Sequence, residues 1–204
     1  MKPPLPRLHA ITDASVARRP DLVAVARALA AAGGAALALH ARGPGLSGLA
    51  HHALAVRLAG CPPARLFVND RLDIALACGA AGVQLGNSSL APAEARRLCA
   101  DWWIGRSVHD LDEARAAQQA GADYLVLGPV YPTPSHPGGL PVDAATLAAV
   151  VGLGLPVIAI GGVTVERASS LKAAGVYGVA AIRALWDSAS PAEGARHMLR
   201  ELEA

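Results

Sequence analysis

Eight short β-type runs, each followed by a helical pattern, constrain this chain more than any other feature. They are Leu8–Ile11, Ala36–His40, Arg65–Val68, Gly82–Leu85, Ile104–Ser107, Tyr124–Leu127, Val157–Ile160 and Val179–Ile182. Strands that alternate with helices predict a parallel sheet. Eight is also the number that closes a barrel. The expected fold is therefore α/β, a single (β/α)8 TIM barrel over residues 1–204, since nothing in the composition marks a boundary. An open doubly wound sheet is the alternative. At 204 residues the chain lies near the short end for such a barrel, which excludes long insertions. A hydrophobic content of 53% argues against disorder.

Local signals fit the same alternation. Pro92 stands at an early helical position. Asp110 and Glu113 have the spacing of a capping box, and Thr164 is a candidate N-cap. Asp73 is a candidate cap for the helix after the third strand. Gly33-Gly34, Gly121 and Gly175 supply helix ends that tolerate left-handed geometry. An Ala-Gly pair precedes a strand at Ala81-Gly82, Ala120-Gly121 and Ala174-Gly175, as repeated helix-to-strand turns would.

A formal charge of +2 gives no footprint for nucleic acid. No membrane span is expected, because the longest apolar run, Val150 to Val163, is short and broken by Pro156 and four glycines. The N-terminus lacks the apolar core of a signal peptide. Cys61, Cys78 and Cys99 are odd in number and lack metal-ligand spacing, so a reducing cytoplasm and buried apolar roles are expected.

In this fold chemistry gathers after the C-terminal ends of the strands. The seventh strand runs into Gly161-Gly162, and the eighth ends before Arg183. Glycine lets backbone N–H groups approach an anion closely, and this end of such barrels commonly grips a phosphate. A plain strand-to-helix turn is the competing reading. Thr12, Asp13, His40, Arg42, Asn69, Asp70, Gln84, Ser107 and His109 fall at the other strand ends. Between Gly128 and Gly139, four prolines and three glycines confine a loop that carries Thr133, Ser135 and His136. Two hydroxyls one residue apart suit a carboxylate or phosphoryl oxygen, and His136 suits general acid or base work. A rigid surface loop is the alternative for that segment, and simple packing is the alternative for His40 and His109. His51, His52 and His197 are expected on helix surfaces.

From Leu8 to about Trp186 the chain resembles the thiamine phosphate synthase/TenI superfamily. The resemblance rests on Leu8-His9-Ala10-Ile11-Thr12-Asp13, Asn69-Asp70-Arg71, Gly82-Val83-Gln84-Leu85-Gly86, Gly105-Arg106-Ser107-Val108-His109, Gly128-Pro129-Val130 and Ala159-Ile160-Gly161-Gly162. It implies a (β/α)8 barrel. The synthase of this superfamily joins an aminopyrimidine pyrophosphate to a thiazole phosphate and uses Mg2+. Its pattern after strand 2, Gln-x-Arg-Glu-Lys, is matched here by His40-Ala41-Arg42-Gly43-Pro44. Of its two metal-binding carboxylates Asp70 remains, while Ser89 takes the second position. Its strand-6 lysine is replaced in Thr133-Pro134-Ser135-His136.

The resemblance therefore implies the other branch: a metal-independent thiazole tautomerase of thiamine biosynthesis, needing no cofactor. Gly161, Gly162, Ala181 and Ile182 would hold the phosphate of a small thiazole phosphate substrate. Thr133 and Ser135 would hold its carboxylate, with Arg42, Asn69, Gln84 and Ser107 completing the pocket. His136 would transfer the proton. His40 and His109 are its alternates, because Pro129 stands where some tautomerases carry a catalytic histidine. Two further functions stay open. One is Mg2+-dependent synthase activity through Asp70 and Arg42, and the other is a non-catalytic binder of thiazole or thiamine phosphate. Family members are often homo-oligomers, and Trp102, Trp103 and Trp186 fit an interface or a core equally well.

Overall fold

A computed structural model describes residues 2–134 and 139–203 of the chain. Eight parallel strands close into a barrel in sequence order, with the first paired to the eighth. They are β1 (Leu8–Ile11), β2 (Leu37–Ala41), β3 (Arg65–Asn69), β4 (Gly82–Leu85), β5 (Trp103–Val108), β6 (Tyr124–Leu127), β7 (Val157–Ile160) and β8 (Gly178–Ala181). The surrounding helices are α1 (Leu22–Gly33), α2 (Gly48–Ala59), α3 (Leu72–Ala77), α4 (Pro92–Leu98), α5 (Leu111–Gln119), α6 (Ala144–Val151), α7 (Val165–Ala173), α8 (Arg183–Trp186) and α9 (Pro191–Glu203). The expected barrel and all eight strands are present, and boundaries move by a residue or two. β2 starts and ends one residue later than expected, and β8 ends one residue earlier.

Side chains alternate along each strand between two apolar layers, as a barrel requires. Leu8, Leu39, Val68, Val83, Ile104 and Val179 point outward to the helices. Ile11, Ala38, Phe67, Tyr124, Val126, Ile158 and Ala180 fill the inside. Two large rings fit there because glycines stand beside them. A Cβ on Gly82 would lie 2.4 Å from Phe67, and one on Gly105 would lie 2.2 Å from Tyr124. The outer layer closes where α9 presents Ala195, Met198, Leu199 and Leu202 and packs on α1. Burying each of the methionine and leucine side chains contributes about 1.5–3 kcal/mol. Trp102 and Trp186 belong to this core, and Trp103 is half-buried.

Several local expectations need correction. Asp110 caps α5 as expected, accepting from the Glu113 N–H at 2.8 Å. Glu113 does not close the capping box on Asp110; it accepts from the His109 N–H, one residue earlier. Thr164 occupies the N-cap of α7 but its side chain makes no capping bond. Asp73 does not cap α3, because the helix begins at Leu72 and Asp73 pairs with the Arg71 guanidinium. His51 is buried, since its Nε2 reaches the Ala41 carbonyl at 2.9 Å. Cys78 and Cys99 are only half-buried, while Cys61 is fully buried, and all three are free thiols. Among the described residues no helix is long and apolar enough to cross a membrane.

Candidate functional site

At the C-terminal end of the barrel the loops surround one cavity of about 1000 Å³. That is the upper end of the range for small-molecule sites, room for more than one small ligand. Arg42, Asn69, Asp70, Gln84, Ser107, His109, Thr133, Gly161, Gly162, Ala181 and Ile182 all line it. The structure does not bring His40 there: it is fully buried inside the barrel, behind Asn69. The reason is that the alternation of β2 turns His40 to the inside of the barrel together with Ala38, one residue before the strand ends. Ser135 and His136 lie outside the described residues.

Asp70 has the most unusual backbone of the set. Its φ is 63°, the one left-handed non-glycine conformation among the described residues. Such conformations are held at a cost of roughly 1–3 kcal/mol and cluster at functional sites. Its carboxylate accepts from the Gly86 N–H at 2.8 Å and from the Ser89 hydroxyl. Beside it, Asn69 and Gln84 are register partners on adjacent strands. Gln84 donates through Nε2 to the Ser107 hydroxyl at 3.0 Å, and its buried Oε1 has no partner among the described residues.

Arg42 is anchored through its backbone. The Thr12 hydroxyl donates to the Arg42 carbonyl at 2.7 Å and accepts the Arg42 N–H at 2.9 Å. No carboxylate pairs with the Arg42 guanidinium among the described residues, which leaves its fork for an anion from the cavity. Asp13 also faces the cavity, but its Oδ1 is taken by the N–H groups of Ser15 and Val16. His109 is half exposed, with Nδ1 2.9 Å from Glu113 Oε2.

The glycine pair is shaped by the loop after β6. Val130 and Tyr131 donate their N–H groups to the carbonyls of Ile160 and Gly161. Gly161 and Gly162 take φ of 98° and 62°. A Cβ on either would fall 2.6–2.7 Å from the loop, against Pro129 or against Tyr131 and Pro132. Only glycine therefore lets the two segments meet. Two arginines absent from the expected set also line this part of the cavity, Arg167 and Arg183. Arg167 donates to the Gly162 carbonyl and stacks on Tyr131, 4.4 Å from the ring centroid. Its position in the first turn of α7, just after the glycine pair, was the signal available in the sequence.

A closed (β/α)8 barrel with a carboxylate, arginines and a glycine turn around one cavity defines a protein built to bind small anionic molecules. Comparison with known proteins makes this specific. Residues 8–185 match the family described as thiamine monophosphate synthase. The chain belongs to this family, and with it to thiamine biosynthesis. It is 40% identical over 208 residues to the thiamine-phosphate synthase of Chlorobium phaeobacteroides, covering 99% of this chain and 98% of the relative. It is 46% identical over 142 residues to the thiamine biosynthesis bifunctional protein ThiM/ThiE of Symbiobacterium thermophilum. That match covers 68% of this chain and only 30% of the longer protein. Among solved structures, a thiamine phosphate pyrophosphorylase from Pyrococcus furiosus superimposes with a TM-score of 0.82 at 28% identity, covering 97% of this chain and 95% of the other.

Proposed function

We propose that this protein is a thiamine-phosphate synthase, coupling an aminopyrimidine pyrophosphate to a thiazole phosphate. This reverses the order expected from the sequence, where the tautomerase came first. The names carried by near full-length relatives support the reversal. The observation that carries the reading is Asp70, a carboxylate held in a strained left-handed conformation at the wall of a cavity large enough for two substrates.

The donor set fits Mg2+ in a limited way. Among the described residues no cluster of three or more His, Cys, Asp or Glu side chains could hold a metal. Mg2+ commonly keeps several waters and binds through one or two carboxylates plus substrate phosphates. Asp70 with the Ser89 hydroxyl fits an ion that arrives with pyrophosphate, and when bound it would supply charge neutralisation to that group. Arg42 would bind phosphoryl oxygens bidentately, and the Gly161-Gly162 turn would receive the thiazole phosphate.

The test is thiamine phosphate formation with pyrophosphate release, followed with and without Mg2+. Product is expected only with the metal, and Asp70→Asn should lower the rate at least about tenfold, as loss of a charged ligand would. Absence of product under saturating substrates and Mg2+ rules the reading out. A second reading, thiazole tautomerase, is favoured by Ser89 standing where the resemblance expects a carboxylate. Aromatisation of a carboxythiazole phosphate in EDTA, followed by NMR, would establish it. Binding without turnover in both assays would leave a phosphate-binding regulator.

A further inference from the structure

The barrel interior behind Asn69 holds a chain of hydrogen bonds with a proton-counting problem. His9 Nε2 lies 3.0 Å from the Pro6 carbonyl, and His9 Nδ1 lies 2.8 Å from His40 Nε2. His40 Nδ1 lies 3.1 Å from the Asn69 side-chain amide, through the atom assigned as Oδ1. Both imidazoles are fully buried, with the rings of Phe67 and Tyr124 beside them. All four ring nitrogens are engaged, and none meets a carboxylate.

The Pro6 carbonyl only accepts, so His9 Nε2 must carry a proton. In a neutral His9, Nδ1 is then a lone pair, and His40 Nε2–H must donate to it. In a neutral His40, Nδ1 is in turn a lone pair and needs a donor. An amide oxygen cannot donate, whereas an amide NH2 can, and a half-turn of the Asn69 side chain exchanges them. The other solution is an imidazolium sealed in an apolar barrel without a counter-ion, which is strongly disfavoured. Burial holds both rings on the neutral side, His40 down to about 4 and His9 well below its ordinary value. The two rings' mutual repulsion adds to the effect on His9.

We infer that the His9–His40 pair fixes the Asn69 amide with Nδ2 toward His40 and Oδ1 toward the cavity, making Asn69 a hydrogen-bond acceptor matched to a ligand group that donates an N–H or O–H. Asn69 lines the cavity, and its other amide atom has no protein partner among the described residues. The two histidines are positioning residues that never touch the ligand. Their effect is to remove the freedom of an amide that could otherwise present either face. The inference is independent of which reaction the cavity performs, because it follows from the barrel interior alone.

Long-range 1H–15N spectra of the full chain labelled at histidine nitrogen, at neutral pH, test it. His9 and His40 should both be neutral, each protonated at Nε2 and bare at Nδ1. A doubly protonated ring, or a His40 proton on Nδ1, overturns the assignment. A second measurement uses Asn69→Asp above pH 7, where the ionised carboxylate offers no donor at either oxygen. In that variant His40 should gain a proton on Nδ1 and become a cation paired with the carboxylate, since its Nε2–H is still needed by His9. An unchanged His40 spectrum in a folded variant would equally overturn the inference. Should the variant fail to fold, the wild-type spectrum still decides.

Discussion

Arg42 is placed by groups remote from its charge. Thr12, the residue after β1, clamps its backbone, so the guanidinium enters the cavity from a fixed base. Losing a charge-assisted bond of about 1.5–3 kcal/mol corresponds to roughly 10–100-fold in rate. Arg42→Ala should therefore lower kcat/KM for the phosphate-bearing substrate by about that factor, with Arg42→Lys recovering only part, because a lysine lacks the planar fork. Steady-state kinetics on both variants, with circular dichroism to confirm folding, check this. Arg42 and Asp70 were legible in the sequence because position just after a strand was enough to place them. His40 was not, because strand alternation turns it inside the barrel, and local sequence does not say which residue near a strand's end faces the cavity. His9 escaped because its role depends on a residue 31 positions away.

At the scale of elements, β5 shows how packing sets sequence. Gly105 faces Tyr124 and Gln84, and a Cβ there would come within 2.2 Å of the ring and 2.3 Å of Gln84 Oε1. Overpacking of this kind typically costs about 1–3 kcal/mol. Gly105→Ala should lower the urea midpoint by an amount corresponding to that loss and also disturb the Gln84–Ser107 bond at the cavity. An unchanged midpoint would mean that the interior has slack that the close contacts deny. Helix ends were partly legible. Asp110 caps as its spacing predicts, since capping is a matter of four consecutive residues. Asp73 and Thr164 failed as side-chain caps. For Asp73, Arg71 two residues earlier claims both carboxylate oxygens.

For the whole molecule, the buried imidazole pair links stability to pH. His40 titrates near 4 when folded against 6.5 in its ordinary state, mainly because burial disfavours the cation. The unfolded chain therefore takes up a proton first, and stability must fall as pH drops from about 6.5 to about 4, then level off for this group. His9 shifts in the same direction and adds to the loss. The total for His40 alone is on the order of 3 kcal/mol. Urea midpoints measured from pH 7 to pH 4.5 should decline steadily, and a flat profile over that window would contradict buried neutral histidines.

By itself the sequence determined the closed barrel, the identity of its eight strands and the family, because strand–helix alternation and short motifs are local and periodic. It also placed the glycine turn at the cavity wall, since Gly161 and Gly162 follow directly on a strand. Tertiary structure alone decided which polar residues share the cavity, that Arg167 and Arg183 join them, and that His40 is sealed behind Asn69. Those outcomes depend on register and on side-chain direction across strands far apart in the chain. A shift of one residue sends a side chain from the rim to the interior, and no window of local sequence contains that information.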